Sequence, residues 1–189
     1  MDRKNHIEAL IETRRAGVDA LRSQAATIER IIAVIEETLR SGGKVLTCGN
    51  GGSAAEALHM AEELIGRYKV NRRSLAAICL AADPTAITCI ANDYGYDQVF
   101  ARQVEGLGRA GDALVVLSTS GKSANLIKAL ETAKGLGMRT IGLLGGPGSP
   151  AEALCDVALT PVVPAPAIAQ ELHLATIHII LEAMDEAFA

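Results

Sequence analysis

The feature that most constrains this chain is a repeated alternation between short, mostly apolar runs and longer segments with helical periodicity. The runs of strand length cover 44–48, 75–80, 113–117, 140–144 and 157–160. Strands that alternate with helices across short loops are typical of a parallel sheet with right-handed crossovers. The sequence therefore predicts an α/β fold in which a five-stranded parallel sheet is flanked by helices, as in flavodoxin-like or Rossmann-like proteins.

A long amphipathic segment precedes the first predicted strand. Its apolar residues recur at helical spacing from Ile7 to Leu39, which predicts one bent helix or two. Such a region needs a surface to cover its apolar stripe, and a second subunit is the simplest candidate. The last segment, 167–188, is also predicted to be helical. We expect one domain over 1–189, with an N-terminal helical region at 1–41 and an α/β core at 42–189.

Composition and charge argue against several classes of function. The formal net charge is −4, basic residues are dispersed and tryptophan is absent, so no surface for binding nucleic acid is expected. No apolar stretch approaches the ~20 residues of a membrane-spanning helix, and the N-terminus lacks the apolar core of a signal peptide. The four cysteines form no CxxC pair and are expected to be small, buried and reduced. We therefore expect a cytoplasmic protein with no nucleic-acid or membrane partner.

Two loops that follow predicted strands have the composition of anion-binding sites. In the loop Gly49–Ser53, glycines allow the backbone to approach a ligand closely. The loop 118–123 offers four hydroxyl groups and several backbone amides at the start of a helix, which suits a phosphate. A serine-rich turn can instead simply cap a helix. Two such loops at one edge of a parallel sheet favour a ligand site.

Two nucleotide-binding motifs fit poorly. Gly121-Lys122-Ser123 is similar to the end of a P-loop, but Val116 stands where that motif requires glycine. The spacing Gly49-x-Gly51-x-x-Ala54 matches a loose dinucleotide fingerprint, yet the acidic residue expected about 20 positions later is missing. A nucleotide-dependent oxidoreductase is therefore only weakly supported.

Polar residues interrupt two otherwise apolar helical segments. His59 and Glu63 are four residues apart and share one helix face, while Gln170 and His178 fall broadly on one side of the last helix. Polar side chains on apolar helices cost free energy unless they are partnered. Any one of them is more often a satisfied core or interface group. The four together favour a divalent metal site, such as zinc, or an acid/base pair.

Other polar residues receive a structural interpretation. His6 and His173 have no comparable neighbours in their helical patterns and are interpreted as structural or surface residues. Asn92 and Asp93 precede Tyr94-Gly95, which is typical of a turn that ends a helix. Their alternative role is hydrogen bonding to sugar hydroxyls.

These motifs together resemble the phosphoheptose isomerase family of sugar isomerase (SIS) domain proteins. The resemblance runs in order through nearly the whole chain, on the segments 49–53, 59–64, 66–68, 91–93, 118–121, 123–125 and 170–171, and on His178. It implies an aldose–ketose isomerase that converts sedoheptulose 7-phosphate to D-glycero-D-manno-heptose 7-phosphate by enediol proton transfer, in ADP/GDP-heptose and lipopolysaccharide or surface-glycan precursor synthesis. It also implies a homotetramer with active sites at subunit interfaces and one zinc ion per subunit.

The resemblance further implies a role for individual residues. Glu63 and His178 would be the catalytic acid/base pair. The implied metal ligands are His59, Glu63, Gln170 and His178. The residues implied to contact the sugar phosphate are Asn50, Gly51, Gly52, Ser53, Glu63, Asn92, Asp93, Ser118, Thr119, Ser120, Ser123 and Gln170. The chain departs from the family pattern at Ala54-Ala55 and at Ala167, where the family carries an aspartate.

The same fold also occurs in a different functional class. The alternative is a non-catalytic SIS-domain scaffold, like the paralogue that associates with the bacterial replication initiator. A scaffold need not keep the four polar residues of the two helices, and this chain has all of them. The enzyme is therefore the favoured prediction.

Overall fold

The computed structural model describes residues 2–163 and 165–189. The helices are α1 (Arg3–Ala20), α2 (Ala25–Arg40), α3 (Gly52–Ile65), α4 (Pro84–Tyr94), α5 (Ala101–Leu107), α6 (Ala124–Gly135) and α7 (Pro166–Phe188). The strands are β1 (Val45–Gly49), β2 (Ala77–Cys79), β3 (Ala113–Ser118), β4 (Arg139–Leu144) and β5 (Val157–Leu159). In the predicted loop before the last helix, Pro164 lies outside the described residues, and the helix already begins at Pro166.

The five strands form one parallel sheet in the order β2-β1-β3-β4-β5, which confirms the predicted architecture. Strand β1 pairs with β2 on one side and with β3 on the other, where Gly49 lies opposite Leu117. The order of the strands therefore reverses between β1 and β3. Open parallel sheets bind ligands beyond the carboxyl ends of the strands at such a switch point. Both loops predicted to bind anions start there.

Alternating residues of the central strands face two layers of helices. On β3, Val115 and Leu117 join a core that includes residues of α2, α3 and α7, whereas Leu114 and Val116 join a core with α5 and α6. All residues of β1 and β3 are buried, as expected for strands covered on both faces. Helices α3 and α7 therefore lie on the same side of the sheet, beside its switch point.

The N-terminal region consists of two helices joined by a 3-10 turn at Leu21–Gln24, consistent with the predicted bent or divided helix. Helix α2 is amphipathic and buries Ile31 and Ile35 completely. In α1, by contrast, Ile7, Leu10, Ile11 and Val18 are exposed. The apolar stripe of α1 is thus left uncovered by the rest of the chain.

The prediction for the cysteines is correct in part. Cys48 and Cys79 are buried, Cys155 is half-buried and Cys89 is exposed. The prediction is wrong for Cys89 because α4 buries none of its residues, so an apolar pattern on that helix does not translate into burial. Burial raises the pKa of the Cys48 thiol well above its usual value, and the neighbouring Cys79 adds to this effect. No helix in the described part of the chain has both the length and the apolar character needed to cross a membrane.

Candidate active site

A small polar cleft of about 90 Å³ lies at the carboxyl ends of β1 and β3. Its walls combine serine and threonine hydroxyls from the loop after β3 with side chains from α7 and from the loop after β1. The lining residues are Asn50, Ser53, Leu117, Ser118, Thr119, Ser120, Ser123, Leu126 and Gln170. The structure thus brings together most of the residues that the sequence associates with a sugar phosphate.

Glycines shape both loops of the cleft. Gly51 has a φ of +57°, a conformation that side-chain-bearing residues rarely adopt. A Cβ atom on Gly52 would lie 2.5 Å from Nε2 of Gln170, so any other residue there would require that amide to move. Gly121 has a φ of +61°, and its N–H donates to Oγ of Ser118 at 3.0 Å. These positions keep the cleft open and its hydroxyl groups in place.

The start of α6 faces the same cleft. Its N-cap residue is Ser123, whose side chain makes no capping hydrogen bond. The hydroxyl group and the first amides of α6 are therefore free to bind an anion, and the helix dipole favours negative charge at this end.

Asn50 is fixed by contacts from two distant segments. It exchanges two side-chain hydrogen bonds with Asn125, at 3.0 and 2.9 Å. The hydroxyl group of Tyr96 donates to Oδ1 of Asn50 at 3.0 Å. The resemblance included Asn125 in the segment 123–125, but nothing in the sequence indicated that Asn125 or Tyr96, 75 and 46 positions away, would meet Asn50.

A second group of site residues lies where α3 and α7 meet. Nε2 of His59 is 3.1 Å from Nε2 of His178. The ring of Tyr68 stacks on the ring of His178, with centroids 5.3 Å apart and an interplanar angle of 28°. The resemblance included Tyr68 in the segment 66–68 but implied no role for it.

This second group fits a zinc ion. Candidate ligand atoms of His59, Glu62 and Glu63 all lie within 4.8 Å of one another. Two nitrogens bound to one tetrahedral zinc at 2.0–2.1 Å are about 3.3 Å apart, close to the His59–His178 spacing. Oε2 of Glu62 is 3.7 Å from Nδ1 of His59. A carboxylate beside the second ring nitrogen is typical of a histidine that binds metal.

Gln170 lies apart from this group within the chain. Its Nε2 donates to Oγ of Ser53 at 3.4 Å, in the polar cleft. Eight residues of α-helix separate Gln170 from His178, which corresponds to about 12 Å along the axis. Of the four predicted metal ligands, His59 lies next to both Glu63 and His178, whereas Gln170 lies in the cleft.

Asn92 and Asp93 lie outside the cleft lining. Both are exposed in the last turn of α4, where Nδ2 of Asn92 donates to Oδ1 of Asp93 at 2.7 Å. Gly95, with a φ of +92°, ends this helix. The predicted helix-ending turn is thus present, with the pair just before it.

A buried ion pair fixes the segment that carries Tyr68. Asp185 accepts hydrogen bonds from the backbone N–H groups of Lys69 and Val70 and from Nε of Arg72, at 2.7, 3.0 and 2.9 Å. Arg72 is completely buried and also donates to the backbone carbonyl of Glu63. Burial acts to raise the pKa of Asp185, but these donors outweigh it and lower the pKa below its usual value. The clamp thereby holds Tyr68 against His178.

Comparison with known proteins is consistent with this arrangement. The family model of the SIS domain matches residues 9–145. The phosphoheptose isomerase of Helicobacter pylori strain P12 is 49% identical over 173 residues, which cover 90% of this chain and 88% of that protein. The phosphoheptose isomerase of Akkermansia muciniphila is 43% identical over 166 residues, with 88% of each chain covered. The chain belongs to the phosphoheptose isomerase family.

Solved structures of phosphoheptose isomerases have the same fold. The enzyme of Neisseria gonorrhoeae superposes with a TM-score of 0.90 at 39% identity, and covers 98% of this chain and 100% of that one. The enzyme of Francisella tularensis superposes with a TM-score of 0.94 at 33% identity, with the same coverage. The agreement extends over the long N-terminal helices as well as the sheet. The resemblance that the sequence motifs indicated is confirmed.

Proposed function

We infer that this chain is a phosphoheptose isomerase. As an aldose–ketose isomerase, it converts sedoheptulose 7-phosphate to D-glycero-D-manno-heptose 7-phosphate, which feeds the synthesis of ADP- or GDP-heptose and of lipopolysaccharide or surface-glycan precursors. The observation that carries this inference is the pairing of a hydroxyl-lined cleft with an imidazole and carboxylate group on the same two helices. Relatives named phosphoheptose isomerase that are 49 and 53% identical, over 90 and 81% of the chain, support it.

The cleft can bind a phosphate group through hydrogen-bond donors alone, without a basic side chain. Among the described residues that line it, there is neither lysine nor arginine. Hydroxyl groups of Ser118, Thr119, Ser120 and Ser123, backbone amides and the start of α6 can all donate to phosphate oxygens. We propose that the phosphate end of the sugar binds there. Asn50, Gly51, Gly52 and Ser53 complete the binding site from the other loop.

The acid/base pair acts at the other end of the substrate. Aldose–ketose exchange moves a proton between adjacent carbons through an enediol, so it requires a base near the C–H bond and a group that exchanges a proton with the oxygen. We propose that Glu63 carries the proton between the carbons and that His178 serves the oxygen. A positioned general acid or base contributes about 10²–10⁴-fold to the rate.

The metal ligands would come from two chains. We propose that His59, Glu63 and His178 bind one zinc ion per subunit, which when bound would polarise the substrate carbonyl as a Lewis acid. Gln170 lies about 12 Å along α7 from His178 within one chain. It reaches a zinc ion only from a neighbouring copy, which fits active sites at subunit interfaces.

The uncovered apolar surface supports a homotetramer. A groove of about 550 Å³ between the N-terminal helices and α7 is lined mainly by apolar side chains, including Val18, Ile28 and Ile179. With the exposed stripe of α1, it forms a surface that a second copy would bury. We propose one domain over 1–189, whose helical region 1–41 mediates assembly and whose core 42–189 carries the site. In the assembled enzyme, Asn92 and Asp93 would contact sugar hydroxyl groups.

The proposed cellular location is the cytoplasm. Heptose phosphates are intermediates of sugar-nucleotide synthesis, and the four cysteines of the chain are free thiols in the structure. The proposed partners are the sugar phosphate and further copies of the chain, without nucleic acid or a membrane.

One assay separates the isomerase from the non-catalytic scaffold. Purified protein is incubated with sedoheptulose 7-phosphate, with and without chelator, and the appearance of the heptose 7-phosphate is followed by chromatography that separates the two isomers. We expect turnover in the untreated sample. No turnover by zinc-loaded tetramer would contradict the isomerase and leave the scaffold as the function.

A further inference from the structure

A polar pair is buried between the two groups of site residues. Glu56 on α3 faces His173 on α7, with 4.0 Å between Oε2 of Glu56 and Nδ1 of His173. The side chain of His173 is completely buried and that of Glu56 is 13% exposed. Among the described residues, the buried side-chain atoms without a hydrogen-bond partner are Oε2 of Glu56 and both ring nitrogens of His173.

Burying this polar pair costs free energy at a helix interface that is otherwise apolar. Its neighbours along both helices are apolar and buried, including Ala57, Met60 and Leu172. Buried polar atoms without partners destabilise a fold, and an aliphatic residue would fill either position without that cost. A pair that does not contribute to the stability of the interface therefore indicates another role.

Burial favours uncharged side chains at both positions. Desolvation raises the pKa of Glu56 to about 7. Desolvation also lowers the pKa of His173, while the backbone carbonyl of Leu144, which lies near the ring without meeting hydrogen-bond geometry, acts in the opposite direction. A neutral carboxyl group and a neutral imidazole can share one directional hydrogen bond after an approach of about 1 Å.

The pair occupies the middle of a row of three polar contacts between α3 and α7. Ser53 meets Gln170 at 3.4 Å at the cleft, and His59 meets His178 at 3.1 Å at the candidate zinc site. Glu56 lies three residues from both Ser53 and His59. The three contacts follow the same order along both helices, so the helices run parallel. The register of α3 against α7 therefore determines both the Ser53–Gln170 contact and the His59–His178 contact.

We propose that Glu56 and His173 are a positioning pair that fixes the register of α3 against α7 and so aligns Gln170 with the cleft and His178 with His59. Apolar contacts along the interface are not directional and tolerate small sliding movements. A hydrogen bond formed when the 4.0 Å gap between Glu56 and His173 closes would be directional and would resist such movement. The expected effect of the pair on turnover rests on the proposed isomerase function. Its expected effect on the alignment of His59 with His178 rests on the structure alone.

The test compares variants that remove the polar pair with one that keeps it. In Glu56→Leu and His173→Leu, we expect kcat to fall at least tenfold, KM to change less than threefold, and zinc affinity to fall at least tenfold. Thermal stability should be unchanged or higher, because unpartnered polar atoms are lost. The double variant should lose no more activity than either single one. Glu56→Gln, which retains a hydrogen-bonding group, should stay within threefold of wild type.

The matched control is Thr176→Val on the same helix. Thr176 is also completely buried, but its hydroxyl group donates within α7 to the Leu172 carbonyl at 2.8 Å and does not reach α3. Its removal should leave kcat and zinc affinity within threefold of wild type.

Three results would overturn the positioning pair. The first is that both leucine variants keep the wild-type kcat and zinc affinity. The second is that the losses of the two single variants add up in the double variant. The third is that activity falls only in proportion to the amount of tetramer that is lost. Zinc affinity is measured by competition with a chromogenic chelator and needs no substrate. If the wild-type protein fails to isomerise the heptulose phosphate, the proposed function fails, and the zinc affinities of the variants still decide the role of the pair.

Discussion

Nε2 of His59 and Nε2 of His178 lie 3.1 Å apart, although 119 positions separate them in the sequence. Two imidazole nitrogens at this distance share either one proton or one cation. The carboxylates of Glu62 and Glu63 beside His59 favour the cation. The fold creates this contact by placing α3 and α7 side by side on one face of the sheet.

The first prediction concerns this histidine pair. His59→Ala should lower zinc affinity at least tenfold, because a nitrogen ligand is lost and His178 loses its neighbour. Metal content after dialysis and chelator competition measure the effect. His6→Ala, on the exposed start of α1, is the control and should bind zinc like the wild type. Unchanged zinc binding in His59→Ala would rule out this site.

The second prediction concerns the proposed base. Glu63→Gln should reduce kcat by about 10²–10⁴-fold, because an amide cannot accept the carbon-bound proton. The proposed tetramer should still form, as judged by light scattering. Glu131→Gln, at an exposed position of α6, should retain full activity. Near-normal turnover by Glu63→Gln would refute the assignment.

The third prediction concerns the cleft. Gly52→Ala would place a methyl group 2.5 Å from Nε2 of Gln170 and should displace that amide. We expect kcat/KM for the heptulose phosphate to fall at least tenfold while the protein remains folded. A Cβ atom on Gly135, at the end of α6, has no neighbour within 4 Å, so Gly135→Ala should behave like the wild type. Equal activities of the two variants would show that Gln170 does not need its present position.

The fourth prediction concerns the clamp between Asp185 and Arg72. Asp185→Asn should destabilise the protein by about 3 kcal/mol at pH 7, because a buried guanidinium loses its counter-charge. Since the pKa of Asp185 is lowered by folding, the wild-type carboxylate stabilises the fold above its unfolded-state pKa. That stabilisation is lost as the pH falls through the folded-state value, so the difference between variant and wild type should shrink in acid.

Chemical denaturation at several pH values measures this difference. The control is Glu182→Gln, which removes an exposed ion pair with Lys69 and should cost much less stability than Asp185→Asn, because solvent screens exposed charges. Equal losses in the two variants, or a difference independent of pH, would contradict the role of the clamp.

The fifth prediction concerns assembly. Ile11 is 61% exposed on α1, within the uncovered apolar stripe. If the proposed tetramer uses this stripe, Ile11→Glu should shift the protein to smaller species in light scattering, because a charge would be buried in the subunit interface. Glu12→Gln, the neighbouring exposed position, should leave the tetramer intact. A tetrameric Ile11→Glu variant would exclude this stripe from the interface.

Local patterns in the sequence determined the architecture. The alternation of apolar runs and helical periods was sufficient to predict five parallel strands, because strand and helix periodicity are properties of neighbouring residues. The same reasoning placed His59 and Glu63 on one face of a helix. It also placed both loops of the cleft at one edge of the sheet, because the carboxyl ends of parallel strands share that edge.

Tertiary packing alone decided which distant residues meet. The sequence grouped Gln170 with His178, but the rise of α7 places them at different ends of the interface with α3. Between them lies His173, which the sequence pattern left as a structural residue and which faces Glu56. The burial of Glu56 and the contacts of Asn50 likewise depend on how separate elements pack. Such contacts are set by the geometry of helices against the sheet, which the spacing of residues within one element does not encode.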